Sequence, residues 1–275
     1  MRATSAVTFK EACNTFAACG KSQFAKIAPQ VSQRLIGRQI AKQTRWHRHA
    51  GYNTDIRITS GISLKGFRVD AGVMRPELMT SIVLARYMFF ENGLYRGGRV
   101  LDMGCGSGII GAVMALNGAT SVVFSDVSKE ALANTRENTR IFGIDGKSTV
   151  VLSDLFENIN GKFSLIEFNH PFFSDLRLRA ESINSTMIQP ATLIHRFFEE
   201  AKEHLLPAGK IIMPYYHMAG KANDPGVQAP KHGYRIASEF RMIAKTGLQK
   251  GAVSVYVIEL KDNKGATERG ELHGA

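Results

Sequence analysis

The stretch Val100-Leu-Asp-Met-Gly-Cys-Gly-Ser-Gly108 decides the fold of this chain. Its first residues are apolar and predict a buried strand, and the residues from Gly108 to about Asn117 predict a helix. Glycines between a strand and a helix allow a tight turn and let a ligand approach the backbone closely. We therefore expect a ligand to contact this turn through Asp102, Gly104, Gly106 and Gly108.

Strand and helix patterns alternate on both sides of this turn. Predicted strands lie at Arg99–Asp102, Ser121–Ser125, Thr149–Leu152, Phe163–Ile166, Lys210–Met213 and Val253–Leu260, and predicted helices at Glu77–Met88, Gly108–Asn117, Ser128–Phe142 and Ala191–Leu206. This alternation predicts a doubly wound α/β fold, with a mostly parallel sheet and helices on both faces. We expect the last of these strands to close one edge of the sheet in antiparallel orientation.

Residues 51–75, ahead of this alternation, have a different pattern. Between Ile56 and Val69 apolar and polar residues alternate, and the alternation is interrupted at Ser60-Gly61 and at Lys65-Gly66. A period of two with glycine-containing breaks predicts short antiparallel strands joined by tight turns. We expect a β-hairpin lead-in at 51–75 and a core domain at 76–260, both within a domain spanning residues 51–275.

The positive charge of the chain is concentrated in residues 1–50. The whole chain has a net charge of +11, and this segment contains nine Lys and Arg residues against the single acid Glu11, a net charge of +8. The residues Val31, Leu35, Ile36 and Ile40 share one helical face, and Arg34, Arg38, Lys42 and Arg45 form a basic stripe. We expect a basic helical N-terminal extension that docks a nucleic acid such as RNA or another polyanion, packs on the main domain, or acts as an organellar targeting peptide.

The remaining composition excludes several classes of protein. No run of about eighteen apolar residues is present, so we expect no membrane span. The cysteines Cys13, Cys19 and Cys105 lack paired spacing, and the histidines lack zinc-ligand spacing, so we expect a cytoplasmic protein without a metal.

The charge at the glycine turn bears on which cofactor binds there. Asp102 would repel a pyrophosphate, and the spacing G-x-G-x-G differs from the G-x-G-x-x-G of dinucleotide sites. The same carboxylate suits a ligand that carries an ammonium and a sulfonium. Asp126 ends the next predicted strand, where a carboxylate accepts hydrogen bonds from ribose hydroxyls. We therefore expect S-adenosylmethionine as the cofactor and S-adenosylhomocysteine as its product.

These motifs resemble the class I S-adenosylmethionine-dependent methyltransferases, and in particular the group called "methyltransferase small". The resemblance covers residues 56 to 260 and implies a Rossmann-like seven-stranded sheet. It also implies that Asp154 and the adjoining Leu155 bind the adenine end of the cofactor. The segment Val73-Met-Arg-Pro-Glu77, followed by Thr80-Ser81, resembles a stretch that lies over the cofactor in the members that methylate glutamine or ribosomal RNA guanine, which implies cofactor contacts for Arg75 and Thr80.

The segment Phe168-Asn-His-Pro-Phe-Phe173 follows the fourth predicted strand of the sheet, where open parallel sheets bind ligands. It resembles the Asn-Pro-Pro-aromatic motif of methyltransferases that act on planar nitrogens. The Asn169 carbonyl and a backbone carbonyl can accept hydrogen bonds from the two N–H groups of such a nitrogen. These bonds would hold the nitrogen in line with the methyl group for attack.

We expect Asn169, His170, Pro171 and Phe172 to form the catalytic motif. In this motif Phe172 would cover the target, and His170, which replaces the first proline, would contact the substrate, accept a proton near neutral pH, or face solvent. The predicted function is methyl transfer to a nitrogen of RNA or protein. The alternatives are N- or O-methylation of a small molecule and a non-catalytic protein that binds the cofactor or RNA.

Overall fold

A computed structural model describes residues 38, 41, 45, 50–77, 79–174, 187–189, 192–246 and 249–261. The strands are β1 (Tyr52–Arg57), β2 (Ser63–Val69), β3 (Arg99–Met103), β4 (Ser121–Asp126), β5 (Ser148–Leu152), β6 (Phe163–Phe168), β7 (Leu205–Tyr216), β8 (Tyr234–Thr246) and β9 (Gln249–Leu260). The α-helices are α1 (Met79–Phe90), α2 (Ile109–Leu116), α3 (Lys129–Ile141), α4 (Thr192–Ala201) and α5 (Pro225–Gln228).

Seven strands form the main sheet in the order β5-β4-β3-β6-β7-β9-β8. Strands β3 to β7 pair in parallel, and β9 pairs antiparallel with both β7 and β8. The predicted α/β fold with a mostly parallel seven-stranded sheet is thus confirmed. Because β3 and β6 are neighbours at the centre, the loops that follow them open at the same edge of the sheet.

The position predicted for the last strand is wrong. Val253–Leu260 belongs to β9, which lies one place inside the edge, and the edge itself is β8. The sequence prediction did not include β8. At an edge most residues are exposed or half-buried, as they are in β8, so the hydrophobic pattern that identifies a strand is weak there.

Helix boundaries agree with the predictions except at one end. The hydroxyl of Ser128 accepts a hydrogen bond from the Ala131 amide and so caps the start of α3, and α2 is buried along almost its whole length. The predicted helix Ala191–Leu206 ends early, because α4 stops at Ala201 and a 3-10 turn, Lys202–His204, leads into β7. Leu205 and Leu206 belong to β7 instead, and Leu205 pairs with Phe163 of β6.

The lead-in residues form a single hairpin, β1 and β2. The expected turn at Ser60-Gly61 is present, but the one expected at Lys65-Gly66 is wrong, because both residues lie inside β2. The Gly66 amide donates to the Asp55 carboxylate at 2.8 Å, next to a register shift between Thr54 and Ile56. The interruption in the sequence pattern therefore marks an irregularity in the pairing.

In the N-terminal extension the structure describes only three positions before residue 50. Arg38, Ala41 and Arg45 are helical and exposed, in agreement with a basic helix; the other residues of the predicted stripe lie outside the described residues. None of the described helices is long and apolar enough to cross a membrane. The division into domains at residue 50 stays a prediction.

Candidate active site

The glycine turn between β3 and α2 has the conformation that the sequence predicts. Gly104, Gly106 and Gly108 have φ angles of +63°, +55° and +78°, in the left-handed region that favours glycine. A Cβ atom on Gly104 would lie 3.2 Å from the Phe168 ring, whereas one on Gly106 would meet no atom within 4 Å. Gly106 thus leaves open space beside the turn.

Gly111, in the first turn of α2, is a glycine that the sequence prediction missed. A Cβ atom there would lie 2.1 Å from the Phe124 ring and 2.8 Å from Asp102 Oδ2, so the helix packs on the sheet only with glycine. Residues 106–111 therefore contain the G-x-G-x-x-G spacing, with Gly111 in its packing position. Contrary to the expectation above, glycine spacing alone does not separate a dinucleotide from adenosylmethionine.

Two aspartates hold the turn in place. Asp102 is buried, and its Oδ2 accepts a hydrogen bond of 2.7 Å from the Gly111 amide; burial raises its pKa to about 6. The Asp126 carboxylate accepts from the amides of Gly106 at 3.0 Å and Ser128 at 2.9 Å, and burial raises its pKa. The loop conformation therefore depends on both carboxylates.

A cavity of about 440 Å³ opens beside the glycine turn, a volume typical of small-ligand sites. The predicted site residues that line it are Asp102, Gly104, Gly106, Asp126, Asp154, Leu155, Asn169 and Pro171. Those that do not line it are Arg75, Thr80, Gly108, His170 and Phe172. Four predicted segments thus meet at one cavity: the glycine turn, Asp126, Asp154–Leu155 and the segment that contains Asn169 and Pro171.

The loop after β5 brings Asp154 and Leu155 to the cavity. Leu155 has a φ of +47°, a conformation that is uncommon for a residue other than glycine. The Ser153 hydroxyl donates to the Leu155 carbonyl at 2.8 Å and accepts from the Asn158 amide at 3.0 Å, and these bonds fix the turn. Asp154 Oδ2 accepts a hydrogen bond of 3.1 Å from Arg196, which lies on α4, and both side chains are half-exposed.

The Asn169 side chain lies at the end of β6, in the lining of the cavity. Its Nδ2 donates a hydrogen bond of 3.1 Å to the hydroxyl of Ser81 on α1. Because the amide nitrogen is held in this way, the carbonyl oxygen Oδ1 can accept a hydrogen bond from a donor group of a ligand. Ser81 also lines the cavity, whereas the neighbouring Thr80 does not.

The His170 ring lies behind the motif instead of in the cavity. It is 2% exposed, it stacks on Tyr215 with centroids 5.9 Å apart, and its Nε2 is 2.7 Å from the Asn223 carbonyl. A carbonyl can only accept, so Nε2 carries the proton. Burial lowers the pKa of His170 to about 4, so the expectation that it titrates near neutral pH is wrong.

Phe172 packs with its neighbours in the same layer. Its ring meets Tyr215 and His170 edge to face, with centroids 5.5 Å and 5.2 Å apart. The role proposed for it, covering the target, stays a prediction.

The segment Val73–Glu77, which precedes α1, contacts the cavity, but not through the predicted Arg75. Val73, Met74 and Pro76 line the cavity. The guanidinium of Arg75 instead lies over the Tyr52 ring, 4.9 Å from its centroid, and the Tyr52 hydroxyl donates to the Glu77 carboxylate. Arg75 therefore joins this segment to the hairpin.

The cavity has features that fit adenosylmethionine. The Glu167 carboxyl is fully buried in the cavity lining beside the Asp102 carboxyl, and no N–H of the described residues donates to either of its oxygens. A buried pair of acids without an N–H donor to the glutamate suits a ligand that brings N–H donors and positive charge. Val127 lines the cavity with 68% of its surface exposed, an apolar face suited to an aromatic base. Among the described residues no cluster of His, Cys, Asp and Glu suited to a metal is present.

Residues 80–222, more than half of the chain, match the family model described as Methyltransferase small domain. The chain belongs to this family. Family membership and the cavity residues together identify adenosylmethionine as the cofactor, and the chain has the Rossmann-like class I methyltransferase fold.

Curated relatives in the family share part of the chain. "Ribosomal RNA small subunit methyltransferase C" of Pseudoalteromonas translucida is 38% identical over 126 residues, which cover 45% of this chain and 33% of that protein. The protein of the same name from Haemophilus ducreyi is 32% identical over 132 residues, 46% of this chain and 36% of that protein. The chain therefore matches about a third of the length of these relatives.

Solved structures support the fold of this family member. Trm5b from Pyrococcus abyssi aligns with a TM-score of 0.53 at 17% identity, over 77% of this chain and 56% of that one. SMU.776, described as a putative methyltransferase complexed with SAH, aligns with a TM-score of 0.50 at 16% identity, over 72% and 53% of the two chains. At these identities the likeness concerns the fold alone.

Val127, Glu167 and Arg196 are among the cavity residues that the sequence prediction missed. Val127 directly follows Asp126, so its position after the second parallel strand of the sheet could have indicated it. A glutamate inside the apolar run Phe163–Phe168 was also a visible departure from a buried-strand pattern. Arg196 had no such pattern, because its partner Asp154 lies 42 positions away.

Proposed function

We propose that this chain transfers a methyl group from adenosylmethionine to a nitrogen of RNA. The observation that carries the proposal is the Asn169 carboxamide, which lines the same cavity as the glycine turn and is held by Ser81 with its carbonyl left for a ligand. Family membership supports the methyl-transfer chemistry.

The proposed chemistry needs positioning more than proton transfer. When bound, the cofactor supplies an electrophilic methyl group. A planar nitrogen attacks poorly because its lone pair is delocalised. The Asn169 carbonyl counters this by accepting a hydrogen bond from one N–H group, which fixes the nitrogen in line with the methyl group. The backbone carbonyl that follows Asn169 can accept a hydrogen bond from the second N–H group, so the chain itself needs no strong general base.

RNA is favoured over other acceptors by two observations. The relatives that the chain matches carry the name of a ribosomal RNA methyltransferase, and residues 1–50 have a net charge of +8. Basic side chains neutralise phosphates and supply affinity that does not depend on sequence. A protein or a small molecule is the alternative acceptor, and a non-catalytic protein that binds the cofactor or RNA is the alternative of another class.

The proposal is tested first by calorimetry with adenosylmethionine, and then by transfer of a radiolabelled methyl group to total RNA, protein and small-metabolite extracts. We expect cofactor binding, and label in the RNA fraction that nuclease digestion assigns to a base nitrogen. Label only in protein or in metabolites would establish the alternative acceptors. Binding without transfer to any fraction would establish the non-catalytic alternative.

The variant Asn169→Ala tests the role of the carboxamide. We expect cofactor affinity to stay within about threefold and kcat to fall about 100-fold or more, because an interaction used in the transition state is removed. Asn160→Ala, which changes an exposed asparagine outside the cavity, is the matched control. An equal loss of cofactor binding and turnover would contradict the role.

A further inference from the structure

Glu167 is a buried acid that the chemistry above leaves without a role. It is the fifth residue of β6, directly opposite Asp102 of β3 in the parallel register, so the two side chains project from the same face of the sheet. Both residues line the cavity beside Gly104 and Gly106. Two carboxyl groups therefore lie next to each other at the end of the cavity formed by the glycine turn.

The two carboxyl groups differ in their hydrogen bonds. Asp102 accepts from the Gly111 amide, whereas no N–H within the part of the chain that the structure describes donates to Glu167, whose polar partner is the Asp102 carboxyl. The residue is 0% exposed. A buried carboxyl group paired only with another carboxyl group is costly, and a bound cation would relieve this cost.

Among the described residues of the cavity lining, no free cation balances this pair. Arg196 is the one positively charged residue among the described residues that line the cavity, and it pairs with Asp154 and Glu200. The titratable groups near Glu167 are Asp102 on β3, Asp126 on β4 and the Cys105 thiol in the turn, while β7 places Ile212 opposite it. The titratable groups described around Glu167 are thus acids and a thiol.

Burial and the adjacent Asp102 raise the pKa of Glu167 well above its usual value. Because a second buried negative charge beside Asp102 is unfavourable, the pair favours the state in which Glu167 holds a proton. A positive charge that enters the cavity favours the loss of this proton.

We propose that Glu167 binds the ammonium group at the amino-acid end of the cofactor and, on binding, gives up its proton to solvent. This inference rests on the proposed function, because it assumes that adenosylmethionine occupies the cavity. The proton leaves the carboxylic O–H, the resulting carboxylate accepts an N–H of the ammonium, and Asp102 continues to hold the Gly111 amide. Glu167 is then a cofactor-binding residue additional to those of the glycine turn.

The wild-type protein provides the first test. Titration calorimetry at pH 7 with S-adenosylhomocysteine, repeated in two buffers of different ionisation enthalpy, counts the protons that binding releases. We expect release of about one proton per ligand, and none with 5′-methylthioadenosine, which has the nucleoside but no amino-acid end. Binding of S-adenosylhomocysteine without proton release would overturn the inference and leave the proposed function intact. Failure of both ligands to bind would contradict the proposed function itself.

The variant Glu167→Gln provides the second test and preserves side-chain volume. We expect the affinity for S-adenosylhomocysteine to fall about 10- to 100-fold, with proton release abolished and the affinity for 5′-methylthioadenosine unchanged. An equal fall for both ligands, or no fall for either, would overturn the inference. Thermal unfolding establishes that the variant folds, and if it does not, the proton count of the wild-type protein decides.

Discussion

At the scale of single residues, the hydroxyl of Ser81 determines how the Asn169 carboxamide is presented. The bond from Asn169 Nδ2 to Ser81 Oγ joins the end of β6 to α1 across 88 positions of sequence. Without it the carboxamide can rotate and exchange its donor and acceptor ends. In Ser81→Ala we expect kcat to fall about 3- to 10-fold, since one hydrogen bond contributes about 1 kcal/mol, while cofactor affinity changes little.

The matched variant for this prediction is Ser81→Thr, which keeps the hydroxyl and should retain most of the turnover. Steady-state kinetics with the RNA acceptor measure both. A loss in Ser81→Thr as large as that in Ser81→Ala would show that the size of residue 81, and not its hydrogen bond, matters.

His170 makes stability depend on pH in a predictable direction. Its pKa is about 4 in the folded protein and about 6.5 when unfolded, so between these values the unfolded chain binds more protons. Acidification through this window therefore lowers the free energy of unfolding, by about 3 kcal/mol in total for this residue. Asp102 and Asp224, whose pKa values burial raises to about 6, act in the opposite direction.

The variant His170→Gln isolates the contribution of His170, because glutamine can still donate to the Asn223 carbonyl but does not titrate. We expect the free energy of unfolding of the wild type to fall relative to that of the variant between pH 6.5 and 4, as urea titrations at each pH measure. Parallel pH profiles for the two proteins would contradict a buried neutral histidine.

At the scale of elements, the buried face of α3 is polar and connects the hairpin to the glycine turn. Asn138 Nδ2 donates to the carbonyls of Ser107 at 2.9 Å and Arg68 at 2.8 Å, and its Oδ1 accepts from the Arg68 amide at 2.8 Å. Asn134 makes a second pair of bonds to β2 and the residue after it. Hydrogen bonds from these asparagines therefore hold α3 in addition to the apolar packing of Ala131 and Leu132.

Asn138→Ala should therefore destabilise the protein by about 2–4 kcal/mol, because the Arg68 amide and the Ser107 carbonyl lose their partner in the interior. Cofactor affinity should fall as well, since Ser107 belongs to the turn. Glu137→Ala, on the exposed face of the same helix, should change stability by less than about 0.5 kcal/mol. Chemical denaturation of both variants measures the difference, and equal losses would contradict the assignment.

The elements also show how far the sequence could predict this structure. β3, α2, β4 and α3 were predicted almost to the residue, because buried strands and capped helices have strong local patterns. The edge strand β8 and the end of α4 were missed, since sheet pairing over a long distance in sequence determines them. For the same reason the contact of Asn169 with Ser81 could not be predicted, although Asn169 itself could.

At the scale of the whole molecule, the positive charge is separated from the cavity in sequence. Residues 1–50 have a net charge of +8, leaving +3 for the other 225 residues, and the cavity is lined by residues from Gly72 onward. If this segment docks RNA, its affinity is electrostatic and falls steeply with salt. Cofactor binding, by contrast, should not depend on it.

Replacing Arg34, Arg38, Lys42 and Arg45 together by glutamine tests this separation in the full chain. Each lost phosphate contact should reduce the slope of log affinity against log salt concentration by about 0.7 for single-stranded RNA, so four contacts reduce it by roughly 3. The affinity for S-adenosylhomocysteine is the internal control and should be unchanged, because no described residue of the cavity is altered. An unchanged salt slope would mean that the basic stripe does not bind RNA and would leave packing or targeting as its role.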